Sequence, residues 1–243
     1  MKNFAHRGFS GQYPENTMIA FEQACKTKGC DGIELDVHLT KDGEMVLIHD
    51  EQIDRTCTDG KGWIKDMTLA ELKKLDFSFT FTEKTGTQRI PTLAEYFDLV
   101  KQYDIVTNIE LKTSVLEYPG IEEKVYNLIR EYKLDEKVII SSFNHFSVMR
   151  FKKLAPHIRC GFLTESWLLN AAEYVKNAGV ECFHPFFTNM LKKDDVAALK
   201  ANDIEINVWT VNEEDHVRLM LQAGVDTVIG NYPDRTAKIL SAR

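Results

Sequence analysis

Hydrophobic and polar positions along the chain follow two alternating periods. Short apolar runs with the period of strands fall near Phe4 to His6, Ile33 to Val37, Val106 to Lys112 and Val138 to Phe143. Others fall near Cys160 to Leu163, Glu181 to Pro185, Ile204 to Thr210 and Thr227 to Ile229. Helical patterns lie between them. The first begins after Asn16, a good N-cap, and stops near Lys28-Gly29. The others cover Thr92 to Tyr103, Glu122 to Tyr132, His145 to Leu154, Asn170 to Asn177, Lys193 to Ala201, Glu213 to Ala223 and Asp234 to Leu240. Gly179 and Gly224 stop two of these. Strand then helix, eight times over, predicts a (β/α)8 TIM barrel, with a doubly wound open sheet as the alternative.

One strand carries a hairpin. Gly32 to Thr40 alternates apolar and polar residues, Asp42-Gly43 is a strong turn signal, and Met45 to His49 returns. With Asp42 and Gly43 as a two-residue loop, Asp36 pairs directly with His49, about 5 Å away at Cβ. Glu34, two residues from Asp36, shares that face, so spacing predicts a cluster of Glu34, Asp36 and His49. A solvated hairpin surface would show the same acid-x-acid pattern. Residues from about 51 to 88 fit neither element of the repeat and predict a small insertion after the hairpin, above the barrel, where loops shape a site. The whole chain, 1–243, then forms one barrel domain.

Barrel strands point alternate residues inward, and functional groups gather at their C-terminal ends. Glu34 and Asp36 then point in from one strand, and Asn108, Glu110 and Lys112 from the next. A plain Glu110–Lys112 ion pair is one outcome. Three converging carboxylates are better accounted for by a hard divalent cation, Mg²⁺ or Ca²⁺, bound through oxygen.

The net charge of −7 argues against a nucleic-acid surface or a polybasic membrane patch, and requires a local cationic site for any anionic substrate. Five cysteines without a CxxC pair read as reduced small hydrophobes. With no apolar signal stretch or bilayer-length run, the expectation is a cytoplasmic protein without stable membrane association. Oligomeric state is not legible.

Ordered fragments span nearly the whole chain: A-H-R-G (Ala5 to Gly8), P-E-N-T (Pro14 to Thr17), I-E-L-D-V (Ile33 to Val37), L-I-H-D (Leu47 to Asp50) and D-R-T (Asp54 to Thr56). I-P-T-L (Ile90 to Leu93), I-E-L-K (Ile109 to Lys112), S-F (Ser142-Phe143), W-T-V-N (Trp209 to Asn212) and N-Y-P-D (Asn231 to Asp234) complete the set. Together they resemble the glycerophosphodiester phosphodiesterase family of the cytoplasmic bacterial type. The resemblance implies a TIM barrel of the phospholipase-C-like phosphodiesterase type. It also implies hydrolysis of glycerophosphocholine, glycerophosphoethanolamine and similar diesters to glycerol 3-phosphate and an alcohol. It implies further that Glu34, Asp36 and Glu110 bind the metal and that His6 and His49 are the acid/base pair. His6 is assigned as base and His49 as acid, since an imidazole can serve either role near neutrality. Arg7 offers paired donors to the phosphate and Lys112 a point charge. Cys57 and Gly230-Asn231 depart from common family wording without touching this chemistry.

Other residues carry weaker expectations. Trp209 and Phe143 wall the glycerol moiety or pack in the core, and His184 contacts substrate. Glu15 orients Arg7, Asn16 caps a helix and His38 is exposed. His145, His157 and His216 have no catalytic part. Two rival readings exist. A lysophospholipase D or phosphoinositide-type phosphodiesterase would need an apolar mouth, which Trp63, Phe77, Phe79 and Phe81 would supply unless they form the insertion's own core. A non-catalytic binding barrel would lack a ligand or a histidine, and none is missing.

Overall fold

The computed structural model describes residues 1–242. Its elements in order are β1 (Lys2–His6), α1 (Met18–Lys26), β2 (Gly32–Leu39), β3 (Met45–Leu47), α2 (Leu69–Leu72), α3 (Thr82–Thr85), α4 (Leu93–Val100) and β4 (Val106–Leu111). Then follow α5 (Ile121–Tyr132), β5 (Val138–Ser142), α6 (His145–Leu154), β6 (Arg159–Thr164), α7 (Ala171–Ala178) and β7 (Cys182–Pro185). The chain finishes with α8 (Lys193–Lys200), β8 (Glu205–Val208), α9 (Glu214–Ala223), β9 (Thr227–Gly230) and α10 (Pro233–Ser241).

The sheet order is β1-β9-β8-β7-β6-β5-β4-β2-β3, and β1 also pairs with β2. Eight parallel strands therefore close into a barrel, and β3 hangs antiparallel on β2. The open-sheet alternative is excluded by the β1–β2 pairing. No helix among the described residues is long and apolar enough to cross a membrane.

Strand alternation divides the core in two. Ile33, Leu35, Val37, Ile109 and Leu111 face outward and pack with Phe21, Tyr96, Phe97, Val125 and Ile129 of the helices. Inside the barrel, Phe4, Ile139, Cys182 and Ile229 form a smaller apolar plug. Gly32 makes room for it, since a Cβ there would fall 2.4 Å from the Phe4 ring. Helix ends carry ordinary signals. Thr92 and Glu95 form a capping box on α4, and Gly179 and Gly224 end α7 and α9 in the left-handed conformation.

The hairpin register differs from the expected one by a residue. Val37 pairs with Leu47, His38 with Val46 and Leu39 with Met45, so Asp36 does not face His49. The loop has three residues rather than two. Thr40 N–H donates to Glu44 O at 3.0 Å, and Gly43 alone takes positive φ, at 79°. The reason lies in Asp42, whose carboxylate accepts from Thr40 Oγ1 at 2.5 Å and from Leu69 N at 3.0 Å. Those bonds pin the turn to the following segment and keep Asp42 out of the αL position that a two-residue turn demands.

That segment packs a core of its own, from Val46, Ile48, Ile53, Ile64, Leu72, Phe77 and Ile90. Phe77 belongs to this core, whereas Trp63, Phe79 and Phe81 are half-buried.

Gly230, last in β9, offers a test of barrel packing. A Cβ there would lie 2.2 Å from the Val211 carbonyl oxygen, a backbone atom of a residue whose N–H bonds Ile229 O at 2.9 Å. Gly230→Ala is expected to cost about 1–3 kcal/mol through overpacking. Urea unfolding would show a lower midpoint at unchanged slope. An unchanged midpoint would mean that the β8–β9 junction is looser than described.

Candidate active site

The top of the barrel collects its polar groups from the strand ends. Parallel pairing sets Glu34 beside Asn108 and Asp36 beside Glu110, and His6 at the end of β1 beside Glu34. His6, Arg7, Glu34, His49, Asn108 and Glu110 line one cleft, with Phe143, Leu163 and Trp209 on its far side. His49 arrives by a route that spacing alone did not give. β3 ends at Leu47, and the chain turns inward after Ile48 N–H bonds Asp36 O at 3.2 Å.

The two imidazoles have opposite partners. His6 Nδ1 lies 2.7 Å from Asn231 Oδ1. An amide oxygen only accepts, so Nδ1 carries the proton and Nε2 is the free acceptor. Nε2 sits 3.8 Å from Glu34 Oε2. Burial, followed by the Arg7 charge, lowers the His6 pKa to about 3 against the opposing Asn231 bond, so the ring is neutral. His49 Nδ1 instead donates to Asp50 Oδ1 at 2.6 Å. The bonds from His49 and then Arg55 outweigh partial burial and hold the Asp50 carboxyl below its usual range.

The carboxylates form a tight buried group. Each of Glu34, Asp36 and Glu110 presents an oxygen within 4.8 Å of the other two. Their neutralisation is uneven. Asp36 accepts from Asn16 Nδ2 at 2.8 Å and lies 3.4 Å from Arg7 Nε and 3.7 Å from Lys112 Nζ. Burial opposes ionisation of Asp36, but Arg7 and Lys112 outweigh it and hold the carboxyl below its ordinary range. Glu34 accepts from Arg7 N–H at 3.0 Å, and burial, with Asp36 and Glu110 beside it, pushes its carboxyl well up. Glu110 is raised too, first by burial, although Lys112 bonds it at 2.9 Å.

The group fits a hard divalent cation on its own evidence. Asp36 Oδ1 is fully buried without a hydrogen-bond partner, the Lys112 ammonium standing off at 3.7 Å, which leaves it open to a closer cation. All the donors are oxygens, the set that Mg²⁺ and Ca²⁺ take. The Glu110–Lys112 ion pair exists as well, inside the cluster rather than in place of it.

The Arg7 guanidinium lies between two carboxylates. Its Nη1 donates to Glu15 Oε1 at 2.8 Å, while its buried Nε makes no hydrogen bond and lies 3.4 Å from Asp36 Oδ2. Glu15 thus orients Arg7 as expected. Phe143 and Trp209 meet edge to face at 5.4 Å, with Phe143 38% exposed.

Four expectations need correction. His38 is fully buried rather than exposed; its Nε2 donates to the His49 carbonyl at 3.1 Å, and Tyr118 Oη lies 3.0 Å from Nδ1. Burial lowers its pKa to about 4, so this neutral ring steadies the His49 backbone. Asn16 is not the cap of α1, a role taken by Thr17; its amide goes to Asp36. His184 lies beneath the cleft with no exposure, bonded to Asn207 at 3.2 Å and packed over Gly161, so it cannot touch a substrate from there. Lys112 faces Glu110 and Asp36 and is absent from the cleft lining.

The partners Asp50, Arg55 and Asn231 were not anticipated as part of the site. Each lies inside a fragment that marks the family resemblance, L-I-H-D, D-R-T and N-Y-P-D, yet spacing says nothing of where their side chains point.

Comparison with known proteins agrees with this geometry. The chain is 46% identical over 230 residues to a glycerophosphodiester phosphodiesterase of Caldanaerobacter subterraneus subsp. tengcongensis, covering 95% of this chain and 93% of that one. It is 47% identical over 240 residues to one from Bacillus altitudinis, covering 98% and 97%. Among solved structures, an Oleispira antarctica phosphodiesterase in complex with the product sn-glycerol-3-phosphate superposes with a TM-score of 0.88 at 30% identity, over 99% of this chain and 97% of that one. The sequence model of the Glycerophosphoryl diester phosphodiesterase family matches residues 6–235, and the chain belongs to that family.

Proposed function

We propose that the protein hydrolyses glycerophosphodiesters, such as glycerophosphocholine and glycerophosphoethanolamine, to sn-glycerol 3-phosphate and an alcohol, with a divalent cation bound by Glu34, Asp36 and Glu110. The observation that carries the reading is the buried carboxylate group with its orphaned Asp36 oxygen, set between two differently partnered histidines. The complex of the Oleispira relative with sn-glycerol-3-phosphate supports the glycerol-phosphate end of the substrate.

His6, with Nδ1 held by Asn231 and Nε2 free, is the base that takes a proton from the attacking hydroxyl. His49, with Nδ1 on Asp50, presents Nε2–H as the acid that protonates the departing alcohol oxygen. The acid form is the imidazolium, protonated on both nitrogens, and a carboxylate behind the ring compensates its charge and fixes its orientation. Arg7, paired with Asp36 and Glu15, lines the cleft and adds positive charge beside the phosphate, and Lys112 adds positive charge behind the carboxylates. Phe143 and Trp209 offer an apolar wall to the glycerol carbons. A cation bound at the carboxylates supplies Lewis acidity toward a phosphate oxygen.

The direct test is release of sn-glycerol 3-phosphate from both diesters after EDTA treatment, then with Mg²⁺ or Ca²⁺ restored. Activity should vanish and return with metal. Activity that survives EDTA would remove the cation, and cleavage of lysophosphatidylcholine alone would replace the substrate class.

His49→Ala should lower kcat about 10²–10⁴-fold with a choline leaving group and far less with a nitrophenolate, which leaves without a proton. Equal losses on both would take the acid role away from His49.

Glu110→Gln should weaken metal binding sharply while leaving the barrel folded. Binding should also consume hydroxide. The Glu34 carboxyl is raised in the metal-free protein, so it holds a proton at pH values where an ordinary glutamate has lost one. A cation must displace that proton, so affinity rises with pH until Glu34 ionises and falls as the solution is acidified. Calorimetry in buffers of different ionisation enthalpy reads the released proton, and affinity independent of pH would contradict the sign.

A further inference from the structure

We propose that Arg55, supplied by the segment after the hairpin, is a positioning residue that sets His49 and Arg7 together for the reaction. The identity of that reaction rests on the function proposed above. The network itself rests on geometry.

Arg55 closes a short 3-10 turn, Ile53–Arg55, whose Ile53 is fully buried in the segment's own core. That anchor fixes where the guanidinium begins. The side chain then reaches across to two carboxylates at once. Nε donates to Asp50 Oδ2 at 2.7 Å and Nη2 to Asp50 Oδ1 at 3.1 Å. Nη1 donates to Glu15 Oε2 at 2.8 Å and Nη2 to Glu15 Oε1 at 2.7 Å. Each carboxylate holds one cleft residue on its other side. Asp50 Oδ1 accepts from His49 Nδ1 at 2.6 Å, and Glu15 Oε1 from Arg7 Nη1 at 2.8 Å. The chain of contacts runs His49–Asp50–Arg55–Glu15–Arg7, with Arg55 at its centre.

An isolated ion pair at a side chain 39% exposed would contribute little. Two features take Arg55 out of that class. Its planar fork engages both carboxylates bidentately, a geometry that a lysine ammonium cannot reproduce. The groups it steadies also both lie in the cleft. Without Arg55, two carboxylates that share one guanidinium nitrogen would face each other uncompensated. Asp50 would turn to water, and the His49 ring would lose the carboxylate that orients it through Nδ1 and offsets its charge when it is protonated. Glu15 would likewise be free to pull Arg7 away from the phosphate.

The test uses Arg55→Gln in the full chain, with kinetics on glycerophosphocholine and on a nitrophenyl phosphodiester. A long-range proton–nitrogen correlation spectrum reads the His49 ring, assigned by its absence in His49→Ala. We expect kcat with the choline leaving group to fall about 10²-fold, with a loss under about tenfold on the nitrophenyl ester and a raised KM on both. The His49 Nδ1–H resonance should lose the downfield shift that its short bond to Asp50 gives it. Adding Arg55→Gln to Asp50→Asn should cost little more than the worse single change, because the two act as one unit. If Arg55→Gln fails to fold, as judged by urea unfolding, Arg55→Lys takes its place, because it keeps the charge and loses the fork.

Equal losses on both substrates, kinetics within about twofold of wild type, or an unchanged His49 ring would each overturn the proposal. If the wild-type protein turns over neither substrate, the functional reading has failed. The ring measurement still decides whether Arg55 orders His49.

Discussion

Three carboxylates buried at the inner face of one barrel wall constrain everything around them. Glu34, Asp36 and Glu110 are each less than a tenth exposed, and their oxygens converge. Burying one ionised carboxylate costs several kcal/mol after relaxation, and three together also repel one another. Among the described residues, Arg7 and Lys112 are the arginine and lysine within ion-pair distance of them, two positive charges to three negative. The deficit falls on Glu34, whose carboxyl is driven upward while Asp36 is held down. A divalent cation would reverse that balance and release Glu34 to ionise.

The cluster also shapes the backbone beside it. Arg7 and Asn16 are non-glycine residues with positive φ, at 55° and 53°. Such conformations cost of order 1 kcal/mol or more unless surrounding contacts enforce them. Here the enforcing contacts are the carboxylates: Arg7 N–H bonds Glu34, and the Asn16 amide bonds Asp36. Asn16 N–H returns to Arg7 O at 3.0 Å and closes the loop. The turn between β1 and α1 is therefore folded around the charge it serves, with stability supplied elsewhere by the apolar plug below and the helix layer outside.

The strand-helix alternation, the eight-fold count and the inward face of Glu34, Asp36 and Glu110 were legible in the sequence, because each follows from a period. The hairpin register was not, because Asp42 chose a partner 27 residues away over the local turn. His38 illustrates the same limit. Its parity was readable, but burial depended on Tyr118, a residue from the loop beyond β4. Asn16 looked like a cap because Asn caps helices, and Thr17 next to it took the role. His184 sat at a strand end yet fell below the cleft, since Gly161 opposite leaves a space that its ring fills. Local pattern reads faces well and reads partners poorly.

Partners, however, are what distinguish the two histidines. Both rings reach the same cleft from neighbouring positions, so residue type alone assigns neither a direction of proton flow. An amide oxygen behind His6 fixes its tautomer without offsetting positive charge, and burial beside Arg7 keeps the ring neutral. A carboxylate behind His49 does offset positive charge, and that carboxylate is itself secured by a guanidinium. In the proposed reaction a base must start neutral and an acid must tolerate being charged. The asymmetry therefore lies one residue behind the catalytic pair, in Asn231 on one side and Asp50 on the other. In that proposal the base stands at the end of a barrel strand and the acid just past the hairpin, within reach of the segment that carries Arg55.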